Sequence, residues 1–216
     1  WKQNEKGRVA LLVEGARRIG KSYIVEAFAK TAYENYLLIN FSQVRPTVRE
    51  FFENYLDDLD TLFLNLEAYF HVQLLPRTAP DAEARTLIIF DEVQFCPRAR
   101  EAIKYLVTDR RFDYIETGSL ISIKKNVKDI LIPSEERSIT MCPMDFEEFL
   151  WAFGEDRLLE VIRRSFTTRT PLPEALHRRA SDALRRYLIV GGMPQAIERF
   201  LETHDFAQTD LVRCFG

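Results

Sequence analysis

Gly15-Ala16-Arg17-Arg18-Ile19-Gly20-Lys21-Ser22 satisfies the pattern G-x-x-x-x-G-K-[ST] at every fixed position. The pattern constrains the fold because it functions only as a turn from a strand into a helix. Its glycines let the chain curl until consecutive backbone N–H groups and the helix N-terminus face a single anion. Both flanks comply. Val9-Ala10-Leu11-Leu12-Val13 is an all-apolar run suited to a strand buried on both faces. From Lys21 to about Tyr36, Ile24, Val25, Phe28, Ala29 and Ala32 recur at helical spacing. Gly15, Ala16, Arg17, Arg18, Ile19, Gly20, Lys21 and Ser22 are therefore the candidate triphosphate cradle, with the Lys21 ammonium directed at the β- and γ-phosphates. The Ser22 hydroxyl is a candidate Mg²⁺ ligand, since this hard cation takes oxygen donors between protein and phosphate.

A second signal is Thr86-Leu87-Ile88-Ile89-Phe90, a continuous apolar run closed by Asp91-Glu92. Ligands gather at the carboxyl ends of strands in parallel sheets. There Asp91 suits holding Mg²⁺ through its water shell, and Glu92 suits orienting or deprotonating the water that attacks the γ-phosphate. Alone, an Asp-Glu pair also serves simply to close a strand. A carboxylate next to the metal-side acid favours hydrolysis over phosphoryl transfer, because a transferase excludes water from its acceptor. Neither a D-x-x-G switch nor an N-K-x-D guanine reader is present: Asp91 is followed by Glu-Val-Gln, and Asn126-Val127-Lys128-Asp129 has the wrong order. Adenine, hence ATP, is the expected base. Thr117 and Ser119 close a further strand, where a hydroxyl suits sensing the γ-phosphate or attacking water, or merely flanks a turn at Gly118. Arg137 reads either as an arginine finger toward a neighbouring subunit's γ-phosphate or as a solvated surface residue.

Along the chain, short apolar runs alternate with amphipathic stretches as far as Ser138–Met141, the pattern of a parallel sheet with helical crossovers. Strands are expected at Leu37–Phe41, Thr86–Phe90 and Asp113–Glu116, and helices within Thr47–Leu75 and from Pro97 to about Arg110. From Phe146 the pattern is wholly helical, near 146–166, 173–190 and 194–203. A boundary near Pro143 divides a core of residues 1–145 from a helical lid of residues 146–216. The 216 residues are 46% hydrophobic and sum to a charge of −3, enough for a sizeable core and unsuited to a general grip on nucleic acid. Cys96, Cys142 and Cys214 are odd in number and lack metal spacing, so they read as reduced cytoplasmic thiols. No apolar run is long enough for a membrane span. His71, His177 and His204 share no ligand spacing, and Phe51, Phe52, Phe63, Tyr69 and Phe70 read as helix core rather than base-stacking platform. Lys124, Lys125 and Lys128 form a basic loop, solvated by default and the one candidate nucleic-acid contact. The opening on Trp1 and the end at Cys214-Phe215-Gly216, within a helical pattern, lead us to expect a fragment truncated at its C-terminus.

Together these residues resemble the AAA-type (ASCE) P-loop ATPases, in particular a prokaryotic group with the patterns L-L-V-x-G-x-R-x-x-G-K-S, I-I-x-D-E-V-Q, T-G-S and P-x-x-F-x-E-F. The matching residues are Leu11 to Ser22, Ile88 to Gln94, Thr117-Gly118-Ser119 and Pro143 to Phe149, within a coverage from about Val9 to Phe200. The resemblance implies an α/β P-loop NTPase three-layer sandwich around a parallel five-stranded sheet, with the catalytic Glu on an inserted strand, then a small all-helical lid and usually a further C-terminal domain. Gly191-Gly192-Met193-Pro194 resembles the G-x-P motif of related signal-transduction ATPases, whose proline touches the adenine side of the nucleotide, and equally suits a Gly helix stop before a Pro helix start. An AAA lid often presents an arginine to the γ-phosphate, which no residue from Pro194 to Ala196 supplies, and Glu136 stands where a Gly often precedes the finger arginine. The expected function is Mg-ATP binding and hydrolysis that moves lid against core, in a cytoplasmic protein with a homo-oligomeric or protein partner. Its rivals are a nucleotide-dependent scaffold with little turnover and a nucleic-acid-stimulated ATPase.

Overall fold

The computed structural model describes residues 1–79, 82–119 and 136–215. The basic loop at Lys124, Lys125 and Lys128 and the segment Asn126–Asp129 lie outside the described residues. Strands β1 (Ala10–Gly15), β2 (Asn35–Asn40), β3 (Thr86–Asp91), β4 (Asp113–Ser119) and β5 (Glu136–Met141) form one parallel sheet in the order β2-β3-β4-β1-β5. Helix α1 (Lys2–Glu5) precedes β1 and α2 (Lys21–Ala32) leads to β2. Helices α3 (Pro46–Asn54) and α4 (Leu59–Phe70) lead to β3, and α5 (Pro97–Asp109) leads to β4.

Crossover handedness explains the layers. The step from β1 to β2 crosses the sheet in one direction and the steps from β2 to β3 to β4 return in the other, so right-handed connections place their helices on opposite faces. On one face Ile88, Phe90 and Tyr114 pack with Phe52 of α3, Leu62 of α4 and Ile103 of α5. On the other, Val13, Leu87, Ile89 and Ile115 pack with Val25 and Ala29 of α2. Every residue of β3 and of β4 is buried, which accounts for the unbroken apolar run in β3. The aromatic cluster is core: Phe52 and Phe63 are buried, with Phe51, Tyr69 and Phe70 packed against the same cluster.

The structure corrects several boundaries. Helix α2 stops at Ala32 rather than near Tyr36, because the Glu34 and Asn35 amides both donate to the Arg85 carbonyl and draw the chain into the sheet. The strand inserted between β1 and β3 is β4, whose end carries Thr117; Glu92 follows β3 and is not on the inserted strand.

The α/β unit comprises Trp1–Arg17 and Lys21–Met141, and Cys142–Gly216, grouped with Arg18–Gly20, forms a helical unit. The latter comprises α6 (Phe146–Ala152), α7 (Asp156–Thr168), α8 (Glu174–Val190), α9 (Pro194–Thr203) and α10 (Phe206–Phe215). The expected continuous helix over 146–166 is two helices, divided at Gly154 with φ +66°, a backbone that residues bearing a Cβ adopt at a cost. Asp145 caps α6, its carboxylate accepting from the Glu148 amide while the Glu148 carboxylate accepts from the Asp145 amide, both at 2.9 Å. Phe149 then buries itself against Val190, Ile197 and Phe200. The P-x-x-F-x-E-F pattern is thus a helix start and its anchor.

Candidate nucleotide-binding site

The parallel sheet sets the carboxyl ends of its strands along one edge, and the polar residues read from the sequence collect there. Gly15 ends β1 opposite Ser119 of β4 and Met141 of β5, and Asn40 ends β2 opposite Asp91 of β3. Between Gly15 and α2 the loop curls through Arg18 at φ +64° and Gly20 at φ +90°. The second of these lies outside the range that a Cβ tolerates well, which is why the motif needs glycine there. Ile19 is buried while the Arg17 and Arg18 side chains stay exposed.

Lys21 opens α2 and is 5% exposed. Its ammonium donates back to the loop's own carbonyls, to Ala16 O at 2.6 Å and Gly15 O at 3.4 Å. Burial pushes its pKa below the ordinary lysine value, Glu92 and Asp91 partly offset this, and Arg17 adds to the lowering. The Lys21 hydrogen bonds thus go to neutral carbonyls while the two carboxylates act on it through space, and an ammonium at a helix start in such a loop is suited to receive a polyphosphate.

Asp91 is 2% exposed and fully engaged. Its Oδ1 accepts from Ser22 Oγ at 2.6 Å and from Thr117 Oγ1 at 2.5 Å, and its Oδ2 accepts from Asn40 Nδ2 at 2.8 Å. Ser22 and Asp91, read separately as metal ligands, are therefore adjacent, and their hydroxyl and carboxylate oxygens fit a hard divalent cation. Thr117, expected to face the γ-phosphate or water, instead directs its proton to Asp91 and accepts from the Glu92 amide at 3.2 Å. Glu92 itself sits at φ +55° and ψ +46°, a left-handed backbone uncommon for a residue with a side chain. Its carboxylate accepts from Gln94 Nε2.

Two members of this constellation were not singled out from the sequence for a role. Asn40 closes the apolar run Leu37-Leu38-Ile39, and a polar residue at that position is the signal that could have found it. Gln94 lies within the D-E-V-Q pattern but has no role derivable from spacing.

The structure does not bring Arg137 to the phosphate loop. It lies opposite Leu11, near the start of β5, and pairs with Glu5 Oε1 at 3.1 Å with its side chain 60% exposed. Four residue steps of strand separate that level from Met141, roughly 13 Å at the usual rise. Pro194 opens α9, where its missing N–H costs nothing. Gly191 at φ +81° stops α8, and Gly192 lies where a Cβ would come within 2.2 Å of the Met144 carbonyl oxygen, so packing within the helical unit accounts for that motif's glycines.

A phosphate loop after the first strand, paired acids after the third and a parallel sheet with helices on both faces define a P-loop nucleotide-binding fold. The chain belongs to the AAA domain family, whose model matches residues 7–150. No curated protein matches the chain. Among solved structures, PCH-2 from C. elegans is similar at 12% identity over 78% of this chain and 42% of that one, with a TM-score of 0.36, so this chain spans less than half of that length.

Proposed function

We propose that this AAA domain binds Mg-ATP at the loop from Gly15 to Ser22 and hydrolyses it, and that nucleotide state moves the helical unit, residues 146–216, relative to the core of residues 1–145. The observation that carries the reading is the Asp91 carboxylate, held at once by Ser22 of the phosphate loop and Thr117 of β4. That arrangement supports a Mg²⁺ site, since it sets a hydroxyl against a carboxylate one residue before a carboxylate suited to act on water. Ser22 and Asp91 are the residues that would hold Mg²⁺, which when bound neutralises phosphate charge. Lys21 binds the β- and γ-phosphates. Glu92 orients a water and takes its proton as the water oxygen bonds to the γ-phosphorus and the bridging bond to ADP breaks. Thr117 keeps Asp91 and the Glu92 backbone in register. Pro194 contacting adenine, Arg137 acting on a neighbouring copy and a cytoplasmic site of action belong to the same reading.

One observation favours a second reading, a nucleotide-dependent scaffold with little turnover: the first turn of α9, Pro194-Gln195-Ala196, offers no arginine to the γ-phosphate.

ATP turnover and ATP binding measured on wild type, Lys21→Ala and Glu92→Gln test the proposal. Turnover in wild type, loss of binding in Lys21→Ala, and retained binding with turnover reduced by about 100-fold or more in Glu92→Gln are the expected results. Wild-type turnover in either variant overturns the mechanism, and binding without turnover in the wild type selects the scaffold.

A further inference from the structure

We infer that Gln94 is a positioning residue that holds the hydrolytic carboxylate of Glu92 in its working orientation; this rests on the hydrolytic reading above. The need for such a residue follows from where Glu92 stands. It is the first residue beyond β3, its backbone is left-handed at φ +55°, and its amide donates to Thr117 Oγ1 at 3.2 Å. That bond fixes the main chain and leaves the side-chain torsions open. A carboxylate acting on water must be held in one place, since a displacement of about 1 Å costs on the order of 100-fold in rate.

Gln94 supplies the missing restraint. It sits in the short 3₁₀ turn Val93–Phe95, beside fully buried Val93, and is itself only 6% exposed, so its own side chain is immobilised by packing. Its Nε2 donates to Glu92 Oε2. The opposite end of the same amide, Oε1, is buried without a hydrogen-bond partner among the described residues. A buried acceptor left unpaired is unfavourable, and a methionine of nearly the same shape would fill the space without one. The amide thus acts through its donor end, and among the described residues the hydrogen bond of that end goes to the candidate base. With its backbone tied through Thr117 and its carboxylate through Gln94, Glu92 is held at both ends by groups that belong to the fold.

Gln94→Met keeps length and volume and removes the amide. Steady-state ATP turnover, ATP affinity by direct binding and thermal unfolding are measured on wild type, Gln94→Met, Glu92→Gln and the double variant, the slowest under single-turnover conditions. The expected result for Gln94→Met is a kcat about 10- to 100-fold lower, with ATP affinity within about twofold of wild type, an unchanged unfolding midpoint, and no further loss when added to Glu92→Gln. Gln94→Leu, which removes the donor without adding a charge beside Glu92, is expected to lose kcat in the same way and serves if the methionine variant does not fold. A wild-type kcat in both variants overturns the assignment, as does a loss that appears equally in ATP affinity or adds in full to Glu92→Gln. A wild type that binds ATP without turning it over overturns the hydrolytic reading and this assignment together, whereas turnover in wild type untouched by either Gln94 variant overturns this assignment alone.

Discussion

Asp91 receives hydrogen bonds from three side chains on three separate elements: Ser22 on α2, Asn40 on β2 and Thr117 on β4. A carboxylate buried to this degree keeps its charge cheaply only when both oxygens are hydrogen-bonded, and charge-assisted bonds of this kind are about twice as strong as neutral ones. Asn40 is itself braced, its Oδ1 accepting from the Ser42 amide at 3.0 Å and the Ser42 hydroxyl at 2.6 Å. Its amide can therefore turn only one way toward Asp91. Removing that donor leaves Oδ2 unheld, so the carboxylate can turn and carry Oδ1 off the Ser22 hydroxyl. Asn40→Leu is expected to raise the Mg²⁺ concentration for half-maximal ATP turnover roughly 10-fold, in line with the loss of a partner that orients a metal ligand, and a Mg²⁺ titration of the two proteins checks it. The histidines follow a different logic. His71 and His204 end helices in left-handed conformations at φ +54° and φ +52°, a backbone role that ligand spacing does not address.

At the scale of elements, packing decides where helices stop. The helical unit draws its chain together at one close approach: the Met144 amide donates to the Gly192 carbonyl at 2.8 Å, and the Tyr187 hydroxyl donates to the Met144 carbonyl at 3.1 Å. There is no room for a Cβ at Gly192, and the obstructing atom is backbone rather than a side chain that could swing aside. Gly192→Ala is expected to destabilise the protein by about 1–3 kcal/mol, the usual cost of overpacking, as read from denaturant unfolding; an unchanged midpoint would mean that the Pro143–Met144 backbone yields freely. Strand β3 was legible in advance because burial on both faces leaves a continuous apolar run. The break between α6 and α7 was not, since Gly154 interrupts a pattern whose apolar positions continue on both sides: Phe149 joins one cluster, and Leu150, Leu158 and Leu159 another.

For the molecule as a whole, one electrostatic cost is a buried ion cluster that joins α5 to the sheet. Arg100 of α5 bridges Glu116 of β4 at 2.9 Å and Glu136 of β5 at 3.0 Å, all three side chains nearly inaccessible. Burial raises the Glu116 pKa well above the ordinary carboxyl value; Arg100 opposes the shift and the hydrogen-bonded Glu136 adds to it. Burial likewise raises Asp113, against Tyr33 and Arg77. The folded chain thus keeps protons that the unfolded chain releases, so stability falls as pH rises from the unfolded glutamate value near 4.5 toward the folded one. Glu116→Gln cannot titrate and is expected to lose less unfolding free energy than wild type between about pH 5 and pH 8, measured by denaturant unfolding at each. Equal losses in the two proteins would remove Glu116 as the source.

The sequence by itself determined the phosphate loop, the acids that close β3 and the alternation of sheet and helix, because each is written in adjacent residues whose spacing and backbone needs are local. Only the tertiary structure decided which side chains meet. Ser22 and Asp91 are 69 positions apart, Asn40 and Asp91 51, Thr117 and Asp91 26, and no periodicity along the chain encodes the strand order that joins them. It likewise directed the Thr117 proton to Asp91 and the Gln94 amide to Glu92, because donors turn toward the acceptors that packing places within reach.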